Sequence, residues 1–280
     1  MRKLPKVTAE NYFSPEVQTA YMSVSQFKAF QQCEAAALAE LRGDYIRPSS
    51  TALLVGSYVD AFFSREIENF WAEYPEAFKR DGQLKADFAK ADGIISRAQA
   101  DRLFSLLLSG RKQVVHTGEI AGIPFKIKVD SLLGRNEVAQ ILSEFPDAAS
   151  VFGFGDGALV DLKVMRDMEP VWSDAEHRYV NFVEAWGYDI QGAVYQAVEG
   201  NMLPFILAVC TKEQEPDISA LYLPDGDLEA KLAEVEDAVP RYQAIKEGRE
   251  LPRSCGRCPW CRAQKRLTNI INYKEVGPVA

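Results

Sequence analysis

Residues 158 to 165 read Ala-Leu-Val-Asp-Leu-Lys-Val-Met, a short apolar run interrupted by Asp161 and Lys163. In an extended strand successive side chains point to opposite faces, so these two charges share one face while Val160, Leu162 and Val164 enter the core. Upstream, residues 118 to 130 read Gly-Glu-Ile-Ala-Gly-Ile-Pro-Phe-Lys-Ile-Lys-Val-Asp. Phe125, Ile127 and Val129 alternate there with Lys126, Lys128 and Asp130, and Ala121-Gly122 separates this run from a second one, Gln113 to Ile120. This pattern predicts a β-hairpin with one buried face. If the hairpin neighbours the Asp161 strand, Asp130, Asp161 and the Lys163 ammonium converge.

Around these strands the period is helical. Ser23-Val-Ser25 resembles a helix start, followed by Phe27, Phe30, Cys33 and Ala37 at spacings of three and four. A second helix is expected from Thr51 to about Phe70, a third from Ile94 to Leu108, with the charged stretch Glu73 to Asp92 as a connector or insertion. Downstream, Ala185 to Val198 reads as a helix, Pro204 to Thr211 and Ile218 to Leu223 as strands, and Asp227 to Lys246 as a long helix. The order predicts an α/β (α+β) fold, a mixed central sheet flanked by helices. Its expected parts are an N-terminal arm (1–22), a helical region (23–110) carrying Cys33, Gly56 and Asp60, a core (111–250), and a cysteine-bearing basic tail (251–280).

The chain has 280 residues, 47% of them apolar, enough for a sizeable core. No run approaches the length of a membrane helix, and Met1-Arg-Lys-Leu-Pro lacks the apolar stretch of a secretory signal, so a cytoplasmic protein without membrane partners is expected. The net charge of −8, taken alone, argues against a protein that coats nucleic acid by bulk attraction. From Arg241 onward, however, nine Lys or Arg stand against three Glu, a net +6, which leaves −14 for the preceding 240 residues. Such a basic end suits local phosphate contact, although a charge run is also commonly just a solvated surface.

Two carboxylates held close together resist joint ionisation unless a cation sits between them. Oxygen donors with open positions suit Mg²⁺ or Mn²⁺, which activate water and polarise a phosphodiester, while Lys163 serves the attacking water. Two helical pairs fit the same site, Gly56 with Asp60 and Gln191 with Tyr195, each four residues apart on one helix face. Gly56 would allow close backbone approach, Asp60 would add a third carboxylate, and Gln191 and Tyr195 would offer hydrogen bonds toward a phosphate or the lysine. The bland alternative is an exposed cross-strand ion pair with ordinary helix-surface residues.

Three of five cysteines fall within Cys255-Gly-Arg-Cys258-Pro-Trp-Cys261, a metal-site candidate rather than a disulfide framework. Thiolates alone do not separate iron from zinc, and a metal-free reduced set is the third possibility. Cys210, inside an apolar run, reads as a buried small hydrophobe. His116 and His177 sit in no triad-like setting.

The series Gly56…Asp60, Asp130, Asp161-Leu-Lys163, Gln191-x-x-x-Tyr195 resembles the PD-(D/E)XK nuclease motifs in their RecB-like arrangement. Together with residues 118–130 and the cysteine stretch, it is similar to phage and prophage RecE-type proteins, the exodeoxyribonuclease VIII-like group, over about Ser23 to Thr268. The resemblance implies a restriction-endonuclease-like core and a deoxyribonuclease acting on double-stranded ends, 5′→3′, in phage-type recombination. It further implies a RecT-like annealing partner, and ring-shaped homo-oligomers occur in similar enzymes. By this likeness Asp60, Asp130 and Asp161 hold Mg²⁺ or Mn²⁺, and Lys163, Gln191 and Tyr195 complete the catalytic set. Lys126, Lys128, Arg262, Lys265 and Arg266 are expected to contact DNA. The same likeness implies that Cys33 joins Cys255, Cys258 and Cys261 around a [4Fe–4S] cluster, with Zn²⁺ as the rival. Two departures stand out: Asp60 replaces the usual histidine, and the spacing before the last cysteine is shorter than usual. Alternative readings are a nonenzymatic DNA-binding or assembly protein and a defence or repair nuclease.

Overall fold

The structure is a computed structural model describing residues 4–48, 51–81, 83–153, 155–174, 176–270 and 272. Its helices are α1 (Pro15–Ala20), α2 (Val24–Gln32), α3 (Glu34–Arg42), α4 (Thr51–Phe63), α5 (Ile67–Glu73), α6 (Ala86–Ala100), α7 (Arg102–Leu107), α8 (Arg135–Glu144), α9 (Ala149–Phe152), α10 (Phe182–Ala185), α11 (Tyr188–Glu199), α12 (Asp225–Lys246) and α13 (Pro259–Gln264). The strands are β1 (Arg111–Ile120), β2 (Ile123–Gly134), β3 (Gly157–Met165), β4 (Val171–Ser173), β5 (Arg178–Val180), β6 (Phe205–Thr211) and β7 (Ile218–Leu223). The main sheet has the order β1-β2-β3-β6-β7, with β3 and β6 parallel and the other neighbours antiparallel. This is the expected mixed sheet.

The hairpin turns at Ala121-Gly122, both at positive φ (49° and 72°), which suits a tight two-residue connection between Ile120 and Ile123. One core cluster, including Phe27, Phe125, Ile127, Val194 and Phe205, lies under α2, α11 and α12. The other, including Val55, Val59, Ile94, Val160, Leu162 and Ile206, gathers α4, α6, α7 and α8 against the sheet. Every residue of β6 is buried, as a continuous apolar strand covered on both faces should be.

Burial across the sheet explains where the expectations need correction. The stretch from Glu73 to Asp92 is no simple connector: α6 begins at Ala86 and buries Ala91, Ile94, Ile95 and Ala98, a face partly masked in sequence by intervening charges and Gly93. The expected helix Ile94–Leu108 is two helices, because Asp101 leaves the helical conformation and its carboxylate accepts the Phe104 N–H at 2.9 Å to start α7. Nor are residues 4–22 a free arm. Tyr12, Val17 and Tyr21 are buried, and Met22 pairs with β2 through Met22 N to Pro124 O (2.8 Å) and Lys126 N to Met22 O (2.9 Å). The hairpin β4–β5 and the break at Gly187 (φ 61°), which separates α10 from α11, were not anticipated.

Glycine spacing also needs revision. A methyl at Gly56 would meet Val164 only at 3.9–4.0 Å, ordinary contact, so close approach does not require that glycine. At Gly192 a methyl would lie 2.8 Å from Phe205 Cδ1 and 2.9 Å from Leu228 Cδ2. Gly192 is therefore what lets α11 sit down on β6. Gly192→Ala is expected to cost about 1–3 kcal/mol through overpacking, read as a lower midpoint in thermal unfolding followed by circular dichroism.

Candidate functional site

Strands β2 and β3 pair only from Ser131–Val160 to Gly134–Gly157 and part company at Asp130. In the resulting fork Asp130 Oδ2 accepts the Leu162 N–H at 2.9 Å, so a side chain takes over where the backbone ladder ends. Met22 pairs with β2 beyond the fork and so brings the start of α2 to the same place. A cavity of about 430 Å³ opens there, lined among others by Ser25, Lys28, Asp60, Asp130, Asp161 and Lys163, with Gln191 and Tyr195 from α11.

The expected parity holds, but the charged face is covered. Asp161 is 2% exposed, which rules out the reading of an exposed cross-strand network. Its Oδ1 accepts from Gln191 Nε2 at 2.5 Å, and its Oδ2 forms an ion pair with Lys163 Nζ. Tyr195 donates to the Lys128 carbonyl at 2.9 Å. The α11 pair thus braces Asp161 and strand β2, and no hydrogen bond joins either residue to Lys163. Both are buried, unlike ordinary helix-surface residues.

Electrostatics reflect three acids in one enclosure. Burial, reinforced by the charges of Asp161 and Asp60, pushes Asp130 well above the usual carboxylate range. Burial also raises Asp60, with Lys128 opposing and Asp161 assisting. For Lys163 burial opposes the ammonium, but Asp161 and Asp130 outweigh it and raise its pKa. The donor set fits a hard divalent cation. It consists of carboxylate oxygens, and two of the three acids resist ionisation in the cation's absence.

The expected DNA contacts divide. Lys128 lines the cavity, its ammonium 5.2 Å from the Phe13 ring centroid. Lys126 is fully buried; its ammonium donates to the Tyr12 carbonyl and lies 4.1 Å from the Tyr12 ring centroid. Lys126 also lines the cavity, where its enclosed ammonium, engaged by the Tyr12 carbonyl, holds the N-terminal segment to the wall. Arg262, Lys265 and Arg266 are exposed and lie outside the cavity lining. Sequence reasoning missed Lys28, whose ammonium donates to Trp186 O at 2.6 Å; burial and Lys163 lower its pKa to about 8. It also missed Tyr188, whose ring centroid lies 5.5 Å from Lys28 Nζ and 5.3 Å from Lys163 Nζ. The only local signal was a lysine one turn beyond the Ser23-Val-Ser25 start. His116 and His177 do not line the cavity.

At the other end of α2, the sulfurs of Cys33, Cys255, Cys258 and Cys261 lie within 4.8 Å of one another. Cys33 joins α2 to α3, Gly256 (φ 72°) turns the tail, and Cys258 Sγ accepts the Cys261 N–H at 3.4 Å. Backbone N–H groups of Arg257 and Cys258 overcome burial and hold the Cys255 thiol down to about 6, toward the ligating thiolate. Glu34 ties the same ends together, accepting from Arg241 twice at 2.8 Å and from Arg253 N at 2.7 Å. Cys210 is apart and buried, its thiol pushed up to about 12.

Over residues 23–141 and 154–264 the chain matches a family described as a PDDEXK-like domain of unknown function. It is also similar to a crystal structure from Eubacterium rectale described as a "Putative exonuclease". That likeness has 38% identity and a TM-score of 0.84, and it covers 98% of this chain and 99% of the other. No curated protein matches. Among the described residues no helix is long and apolar enough to cross a membrane.

Proposed function

The chain belongs to the PDDEXK-like nuclease family, and from that premise we propose that it is a divalent-cation-dependent exodeoxyribonuclease acting on double-stranded DNA ends. The observation that carries the reading is the meeting of Asp60, Asp130, Asp161 and Lys163 in one cavity at the β2–β3 fork. Asp60, Asp130 and Asp161 would hold Mg²⁺ or Mn²⁺, which when bound supplies the charge that polarises the phosphodiester and activates water. Lys163, kept cationic by Asp161 and Asp130, orients the attacking water. Gln191 fixes Asp161, and Tyr195 fixes the β2 backbone two residues before Asp130. Lys128 and Lys28 supply positive charge to the incoming phosphate. A cavity of about 430 Å³ has the size of a small-molecule site, with room for one reacting nucleotide. Action from an end rests on the likeness to the structure described as a "Putative exonuclease".

By resemblance, degradation runs 5′→3′ in phage-type recombination, alongside a RecT-like annealing protein, with the basic tail including Arg262, Lys265 and Arg266 on the DNA backbone. The test is incubation with linear and closed-circular duplex in Mg²⁺ or Mn²⁺, with labels at either 5′ or 3′ termini. Nucleotide release from linear DNA alone, 5′ label first, is expected. Binding without release in both metals would overturn the reading in favour of a nonenzymatic DNA-binding protein, to which Asp60 in place of histidine would then point.

For the cysteine centre we propose a single tetrahedral ion, zinc, clipping α2–α3 to the C-terminal tail. A Zn–S bond of about 2.3 Å places thiolates about 3.8 Å apart, close to the Cys33–Cys261 and Cys255–Cys261 separations of 3.5 and 4.0 Å. A [4Fe–4S] cube puts iron corners between its thiolates and spreads them to about 6 Å. Metal analysis of anaerobically purified protein is expected to give one zinc per chain, lost in Cys33→Ser together with thermal stability. Four irons and broad visible absorption would establish the cluster instead.

A further inference from the structure

Gln113 lies within β1 opposite Asp130, between the pairs Lys112–Ser131 and Val114–Val129. Its φ is +50°, a conformation that a residue with a Cβ rarely adopts in a strand. The side chain is buried. Its Nε2 donates to Ser64 Oγ at 2.7 Å and to Asp130 Oδ1 at 3.4 Å, while its Oε1 is buried with no partner. Ser64, also buried, donates to Asp60 Oδ1 at 3.4 Å. A strained backbone, a buried amide and an orphaned carbonyl are three costs at one residue, where an apolar β-former at ordinary φ would incur none. Such costs persist where the surroundings impose them, and they cluster at functional sites.

What the three costs accomplish is a bridge. Asp130 stands on the sheet and Asp60 on α4, and the chain Asp130–Gln113–Ser64–Asp60 joins them across the gap between the two elements. We propose that Gln113 and Ser64 are positioning residues that set the spacing and orientation of Asp60 and Asp130 as joint ligands of the divalent cation. The inference rests on the cation-site reading above and extends it to residues that do not touch the cation. It also accounts for Asp60. A carboxylate in that position adds negative charge next to Asp130 and Asp161, and the Ser64 hydroxyl and Gln113 amide supply neutral donors that hold two of these acids apart in fixed rotamers. Partners of this kind, behind the ligands, are worth about 10–100-fold in metal affinity.

The test is Mn²⁺ binding without DNA, followed by electron paramagnetic resonance, for the wild type, Gln113→Gly and Ser64→Ala. Glycine tolerates the positive φ, so Gln113→Gly removes the amide and relieves the strain together. Mn²⁺ affinity is expected to fall about tenfold or more in each variant, and the Mn²⁺ concentration for half-maximal cleavage should rise in parallel while the KM for DNA stays put. If both variants bind Mn²⁺ as the wild type does, the inference is overturned even where melting temperature drops, since a merely structural role predicts that result. A wild type that binds no Mn²⁺ overturns both this inference and the cation site beneath it. Cleavage failure with Mn²⁺ binding intact in the wild type and weakened in the variants sinks only the nuclease reading.

Discussion

Lys163→Ala is expected to slow phosphodiester cleavage by about 10²–10⁴-fold, the range for losing a positioned proton-transfer or charge-stabilising group, with DNA affinity changed only a few-fold. The ammonium stands beside Asp161, 5.3 Å from the Tyr188 ring centroid, with its side chain only 20% exposed. No neighbour can substitute for it. Lys28 is committed to the Trp186 carbonyl, and Lys128 approaches from β2 beside Phe13. Removing the ammonium also leaves Asp161 in a dry pocket without its counter-charge, which further disturbs the carboxylate set. Lys163→Arg keeps the charge but presents a planar fork in place of a compact ammonium, so recovery should be slight. Single-turnover cleavage with 5′-labelled duplex, beside filter binding in Ca²⁺, separates rate from affinity. Wild-type rates in Lys163→Ala would remove the lysine from the mechanism.

The second large effect has opposite signs in two measurements. Asp130→Asn should abolish cleavage while making the metal-free protein more stable at neutral pH. A carboxyl in the unfolded chain ionises near pH ~3.9, whereas burial and the charges of Asp161 and Asp60 raise the folded value well above that. Between those two pH values the folded protein keeps a proton that the unfolded chain has released. The stabilisation is therefore complete below the unfolded value and is lost as pH rises through the folded one. Asparagine carries no such proton, and its side-chain oxygen still accepts the Leu162 N–H where Asp130 does at 2.9 Å. Thermal unfolding in chelator across this range should show the wild type losing stability with rising pH more steeply than Asp130→Asn. Adding Mn²⁺ should then stabilise the wild type and leave the variant unchanged. Parallel pH profiles for the two proteins would mean that Asp130 is not held protonated.

Most of the strand framework was legible because it is written in local periods. The alternation from Phe125 to Asp130 and the Asp161-Leu-Lys163 step report a face directly, and the four-residue spacing of Gln191 and Tyr195 puts both on one side of α11. What those periods omit is what covers each face. Lys126 and Lys128 share a parity and both line the cavity, yet the ammonium of Lys126 is sealed beneath Tyr12, because the segment ending at Met22 adds itself to β2 at a point no local pattern marks. Gln113 and Lys28 were overlooked for the same reason. Their partners, at Ser64 and Asp130 or at Trp186, are remote in the chain.

Sequence alone thus determined the element types, the mixed sheet, and which acids, amides and thiols could share a face, since side-chain direction follows from backbone repeat. Tertiary structure alone decided the fork at Asp130 and the burial that encloses three carboxyls in one cavity. Those outcomes depend on contacts between distant segments and on exclusion of water, and neither has a period to be read along the chain.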